Sequence, residues 1–249
     1  LPFAALKNPD PAGGRYVIED ASVALSGSTI LYLYSLARSR ELASIAAPSI
    51  LLVGDPAFDR DSAVTEGLKR LEFAYREVAK IAPLYGESEP LLRGDAATAG
   101  QFFQLARSRN VIHVAAHAIT NEDDPSSSMI LFAKTQQHRG LVTAAELMKN
   151  LDLTQTRLVV LSTCSSTGGF PVGKNGVAPL VRPLLAERVP AVIGTLWDID
   201  DATAAELMVS FHRHYRKSND VTEALAQAQR DLLKNYPAYT WAPFQVIGH

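Results

Sequence analysis

Apolar residues along the chain fall into two kinds of run. Unbroken blocks of four to seven residues, rich in Val and Ile, predict strands buried on both faces. These are Ser49–Val53, Val111–Ala116 (closed by His117), Leu158–Leu161, Ala191–Trp197 and Phe244–Ile247. Proline cannot continue a ladder, so Gly54-Asp55-Pro56 is expected to stop the first block. Elsewhere apolar positions recur every three or four residues. Val64, Leu68, Leu71, Tyr75 and Val78 predict one amphipathic helix from Asp61 to Ala82, ended by Pro83. Thr98 and Thr143 each precede Gln101 and Glu146 by three positions, the spacing of capping boxes that open helices to Arg107 and Lys149. Further helices are expected over Ala178–Glu187, along Ala204, Leu207, Met208, Phe211 and Tyr215, and along Val221, Ala224, Leu225, Ala228 and Leu232. Near the start, Arg15–Ile18 and Ala21–Leu25 read as a hairpin. Ser28 then caps a helix that turns Ile30, Leu33, Tyr34 and Ala37 inward. Pro90–Leu92 and Met129–Phe132 add short strands. Strands alternating with helices imply βαβ units and a mostly parallel central sheet with helices on both faces, in one domain over residues 1–249.

Composition narrows the function classes. The 249 residues are 47% apolar and 20% charged, which is ordinary for a globular protein. With 24 basic and 26 acidic residues, the net charge of −2 gives no electrostatic case for nucleic acid or an anionic membrane. The single cysteine excludes an internal disulfide and fits a reducing, cytoplasmic setting. No apolar run approaches the roughly 18 residues that a membrane helix needs. The chain opens Leu1-Pro2 without an initiator methionine, so a longer parent protein is expected.

Four groupings carry candidate chemistry. Cys164 stands just past one buried block and His117 closes another, 47 positions upstream. That spacing matches caspase-like peptidases. A thiol attacks even at neutral pH, where a few per cent is thiolate, and a histidine protonates the leaving amine. Backbone N–H groups beside Cys164 and His117 would hold the oxyanion. His113-x-x-x-His117 has the spacing of zinc ligands on a helix, but lacks the following Glu and a third ligand. His113 is therefore expected to be a hydrogen-bonded core residue, and no metal or cofactor is expected. Gly168-x-x-x-x-Gly173-Lys174 approaches a P-loop, with Asp198 in the Walker-B place, but Asn175 replaces the magnesium-binding hydroxyl. In Trp197-Asp198-Ile199-Asp200-Asp201, Asp200 or Asp201 is expected to cap the next helix. Asp198 either joins them or binds a basic side chain. The loops Thr120–Ser127 and Thr167–Gly176 are expected to be mobile.

These segments resemble the CHAT domain, a prokaryotic relative of caspases and separase. The resemblance rests on Val111–Ala118 (VIHVAAHA), Leu158–Gly169 (LVVLSTCSSTGG), Ala191–Asp201 (AVIGTLWDIDD) and Trp241–Gly248 (WAPFQVIG), with weaker support from Leu51–Phe58 and Leu92–Thr98. It implies a caspase-like three-layer α/β sandwich and a cysteine endopeptidase acting on protein substrates. It also implies a Cys164/His117 dyad, an oxyanion hole at Ala118 and Cys164, and a P1 pocket holding Asp198, Trp197 and Ser165. A basic P1 residue follows from the Leu-Trp-Asp segment, and a sensor such as tetratricopeptide repeats is the expected regulator. The family usually carries Gly where this chain has Ala118, and Ser165-Ser166 is closer to separase. The rival classes are a catalytically silent interaction module and, less well matched, a nucleotide-binding domain.

Overall fold

The computed structural model describes residues 2–9, 13–43, 49–86, 89–121, 123–163 and 178–249. Cys164, Ser165, the Gly168–Lys174 motif and the Thr167–Gly176 loop lie outside the described residues. The strands are β1 (Ala24–Leu25), β2 (Ile50–Pro56), β3 (Leu91–Gly94), β4 (Val111–Ala115), β5 (Ala118–Ile119), β6 (Met129–Leu131), β7 (Leu141–Thr143), β8 (Leu158–Leu161), β9 (Ala191–Thr195) and β10 (Phe244–Gly248). The helices are α1 (Val17–Asp20), α2 (Thr29–Ala43), α3 (Glu72–Ile81), α4 (Ala99–Ala106), α5 (Ala144–Asn150), α6 (Ala178–Ala186), α7 (Asp201–Ser218), α8 (Val221–Leu233) and α9 (Ala238–Trp241).

The central sheet has the order β1-β10-β9-β8-β4-β2-β3. From β9 to β3 every neighbouring pair is parallel, while β10 runs against β9. Side chains alternate between the two faces, as strand geometry requires. Ile50, Leu52, Val111, Leu158, Val160 and Ile193 enter a core shared with α3, α7 and α8. Leu51, Val53, Ile112, Val114, Val159 and Leu161 enter a second core with α4, α5 and α6. Two cores on one sheet make three layers, as expected.

The departures have local causes. Val17–Asp20 is a helical turn rather than a hairpin arm, with Glu19 accepting the Tyr16 N–H at 2.7 Å. Ala24–Leu25 pairs instead with β10, in parallel. Gly54-Asp55-Pro56 does not stop β2; the strand shifts register there and continues to Pro56. The expected helix from Asp61 forms only from Glu72. Gly67 takes a left-handed φ of +79°, and Thr65 is tied back to the Ser62 carbonyl at 3.0 Å. α2 does not turn Ile30 or Leu33 inward: they are 79% and 56% exposed, and Ser35 and Leu42 are its buried residues. Its apolar residues run consecutively from Ile30 to Tyr34, so no single helical face collects them. A second sheet, β5-β6-β7, is antiparallel. β5 and β7 are too short for a readable alternation.

α3 lies directly on β2. A methyl group added at Gly54 would come 2.4 Å from Val78 Cγ2 and 3.0 Å from the Ala74 carbonyl oxygen. Gly54→Ala is therefore expected to cost about 1–3 kcal/mol through overpacking. Thermal unfolding checks this; an unchanged Tm would show that α3 packs less tightly on β2 than described.

Candidate active site at the carboxyl ends of the strands

β2, β4, β8 and β9 end at the same edge of the sheet, where chemistry collects in open α/β folds. His117 follows β4 by two residues and is 2% exposed. Its Nε2 lies 2.6 Å from the Lys69 carbonyl oxygen. A carbonyl only accepts, so Nε2 carries a proton, and the lone pair of the neutral tautomer is then on Nδ1. Phe58 packs edge-on against the imidazole, with centroids 5.2 Å apart. The His117 carbonyl accepts the Leu131 N–H at 2.9 Å. With Ala118 facing Ile130 across the antiparallel pair, this bond makes 118/130 a non-hydrogen-bonded position. The buried Ala118 N–H thus points away from β6.

β4 and β8 pair in parallel, Val111 facing Leu158 and Val114 facing Leu161. That constant offset of 47 residues equals the separation of His117 and Cys164 in the sequence. Thr163 is 1% exposed, and its carbonyl accepts the Thr195 hydroxyl at 3.3 Å, tying the exits of β8 and β9 together.

Beyond β9 the acidic run divides its work. The Trp197 indole N–H donates to the Tyr239 carbonyl at 3.0 Å, fixing that ring beside α9. Asp198 is half-buried. Asp200 caps α7, accepting the Thr203 N–H at 3.0 Å and its hydroxyl at 3.1 Å. Asp201 reaches across to α3 and accepts the Phe73 N–H at 2.9 Å. The expected capping role thus belongs to Asp200 for the following helix, and Asp201 serves a different one. Burial raises the Asp201 pKa to about 6, aided by the charges of Glu77, Asp200 and Asp55 and opposed by the Phe73 N–H.

A third carboxylate holds the same segment. Asp55, left-handed at φ +48°, accepts the Leu71 N–H at 3.3 Å. It also takes the Arg70 guanidinium on both oxygens, Nε lying 2.8 and 2.9 Å away. Residues 69–73 are therefore held at Lys69 by His117, at Arg70 and Leu71 by Asp55, and at Phe73 by Asp201.

His113 is the hydrogen-bonded core histidine that the sequence implied. Its Nδ1 lies 3.0 Å from His212 Nε2, and His212 Nδ1 lies 2.8 Å from the Tyr85 hydroxyl. Its Nε2 is 2.7 Å from Glu77 Oε1, within ion-pairing distance although off the axis of a regular hydrogen bond. Burial and the neighbouring His113 hold the His212 pKa well below the usual range. Burial keeps the Tyr85 hydroxyl protonated and the His212 ring neutral. Tyr85 therefore donates to His212 Nδ1, and His212 Nε2–H donates to His113 Nδ1, the protons pointing toward Glu77. The network pins β4, four residues before His117, to α3 and α7.

The structure thus brings His117, Ala118, Trp197 and Asp198 to one edge of the sheet. Sequence reasoning missed Lys69, Asp55, Arg70 and Asp201. A main-chain carbonyl acts whatever its side chain, so Lys69 carries no signal. Asp55 was legible only as a strand breaker.

The CHAT domain family matches this chain over residues 1–249. The chain belongs to the CHAT domain family. No curated protein matches it. Solved structures add the fold of this CHAT domain. The Arg-specific cysteine proteinase gingipain R superposes with a TM-score of 0.55 at 11% identity, over 87% of this chain and 51% of that one. The complex of Porphyromonas gingivalis RgpB pro- and mature domains gives 0.56 at 9% identity, over 86% of this chain and 52% of that one. Saccharomyces cerevisiae separase, in its complex with securin, gives 0.55 at 14% identity, over 92% of this chain and 14% of that one. The chain thus spans about half of the gingipain chain and a small part of separase. The CHAT domain has a caspase-like cysteine peptidase fold.

Asp201 makes a stability prediction. With its pKa raised from 3.8 to about 6, the folded protein keeps a proton that the unfolded chain has released. The stability from this group is present below pH 4 and lost as the pH rises to 6. Asp201→Asn cannot ionise. Its advantage over wild type should be near zero at pH 4 and about 1 kcal/mol at pH 7, allowing for solvent screening of a half-buried group. Urea unfolding at the two pH values checks this; an equal gap at both would show that Asp201 titrates normally.

Proposed function

We propose that this CHAT domain is a cysteine endopeptidase that cleaves protein chains after a basic residue, with Cys164 as nucleophile and His117 as its base and acid. The observation that carries the reading is the β4–β8 pairing, whose offset matches His117 to Cys164, joined to a tautomer that leaves the His117 lone pair on Nδ1. In this mechanism Nδ1 takes the thiol proton and the thiolate attacks the substrate carbonyl carbon. The C–N bond then breaks as the imidazolium gives its proton to the leaving amine. Water, deprotonated by the same ring, hydrolyses the thioester and restores the thiol. The N–H groups of Ala118 and Cys164 receive the oxyanion; losing one such donor costs about 3–4 kcal/mol in other enzymes.

Asp198 is the proposed P1 anchor, with Trp197 and Ser165 beside it. Asp200 caps α7 and Asp201 bonds to α3, and Asp198 stands half-buried beside them just past the end of β9. Arginine suits a carboxylate better than lysine because its fork binds both oxygens. The Arg specificity stated for gingipain R supports the same choice. A regulatory domain or partner that senses a signal completes the proposal.

Cleavage of peptides with Arg, Lys, Leu or Asp at P1 tests the reading. Wild type should prefer Arg, and Cys164→Ala and His117→Ala should abolish turnover without unfolding. Asp198→Ala should lower kcat/KM for Arg peptides about a hundredfold, the effect of removing one partner of a buried charged pair. Turnover by Cys164→Ala at the wild-type rate overturns the mechanism. A wild-type preference for Leu or Asp overturns the basic pocket.

A further inference from the structure

The segment between β2 and α3 touches His117 through its backbone and is itself held by two carboxylates from different strand exits. We propose that Asp201, acting with Asp55, is a positioning residue: it fixes the Lys69 carbonyl against His117 Nε2 and thereby sets which imidazole nitrogen faces the reaction. The inference rests on the dyad reading above and extends it to residues that touch neither thiol nor substrate.

The geometry runs in one direction. His117 Nε2–H needs an acceptor, and its partner is a carbonyl in an irregular stretch that no helix or strand stabilises. Such a carbonyl holds an imidazole only as firmly as its own backbone is held. Asp55 fixes the two residues after Lys69, binding the Arg70 side chain and the Leu71 N–H. Asp201 fixes the fourth, Phe73, at the first turn of α3. The N–H groups of a first helical turn have no partner within the helix, so each carboxylate satisfies a donor that would otherwise be unpaired. A carboxylate at this end is also favoured by the helix dipole.

Asp201 brings in a second connection. It follows Asp198 by three residues, and Asp200 between them anchors the start of α7. The acidic loop after β9 and the histidine after β4 are therefore joined through Asp201, Phe73 and Lys69. Glu77 of α3, Asp200 of its own loop and Asp55 of β2 place further acidic groups near Asp201, with Asp55 itself paired to Arg70.

The test compares Asp201→Ala, which removes the acceptor, with Asp201→Asn, which keeps an acceptor oxygen for Phe73. Steady-state cleavage of an Arg peptide by Asp201→Ala should show kcat lowered about 10- to 100-fold with KM little changed, as small displacements of a reacting group do. Asp201→Asn should recover kcat to within about threefold of wild type. Loss of equal size in both variants overturns the proposal, and so does wild-type kcat in Asp201→Ala. Alkylation of Cys164 by iodoacetamide across pH 5–9 separates this idea from the dyad itself, because it needs no cleavage. His117 should hold the thiol inflection below that of an ordinary cysteine, near 8.5. Both His117→Ala and Asp201→Ala should move it toward that value, while a merely stabilising role would leave it in place. A profile moved by His117→Ala and unmoved by Asp201→Ala overturns the positioning role and leaves the dyad standing. Profiles unmoved by either overturn the dyad, and the positioning role with it.

Discussion

The hydrogen bond from His117 Nε2 to the Lys69 carbonyl constrains the rest of the structure. At 2.6 Å, it gives the buried His117 ring a partner for a polar atom that would be costly to leave unpaired. Meeting that condition explains several irregularities at once. The chain cannot be helical at Lys69, because a carbonyl turned toward a neighbouring strand is lost to the helix ladder. α3 therefore begins late, Gly67 takes the left-handed turn, and Asp55 adopts a φ uncommon for a residue with a side chain. Asp tolerates that region better than most residues, and here its carboxylate has three donors to meet.

Around that bond the parallel sheet supplies the frame. Parallel strands deliver all their carboxyl ends to one edge, and the pairing of β4 with β8 sets how far apart two exits can be. Packing on both faces makes that pairing hard to slip, since a shift of one residue would exchange the two cores. The buried Glu77–His113–His212–Tyr85 chain adds a polar anchor within an apolar core, tying β4 to α3 and α7 just before His117. The same helix, α3, thus meets β4 at Glu77 and receives Asp201 at its first turn.

Much of the fold was legible because fully buried strands announce themselves. Ile50–Val53, Val111–Ala115, Leu158–Leu161 and Ala191–Thr195 are predominantly apolar blocks, with polar residues only at His113 and Thr195, and each is a central strand. The two histidines separated well too. His113 lies inside its block, where only a core role fits, and His117 closes it. What escaped was set by tertiary contacts. Val64, Leu68 and Leu71 keep a helical period into a stretch that an acceptor for His117 holds open. α2 has apolar residues in plenty but no period. Asp201 looked like a cap for its own helix and caps another, a partner 128 residues away that local spacing cannot reveal.

Labelling by an arginyl chloromethyl ketone, read by intact mass, tests the central claim most directly. The account predicts one adduct on Cys164, the chain's single cysteine, with a rate lowered on the order of a hundredfold or more in His117→Ala. An unlabelled wild type, or equal labelling rates in wild type and His117→Ala, would contradict it.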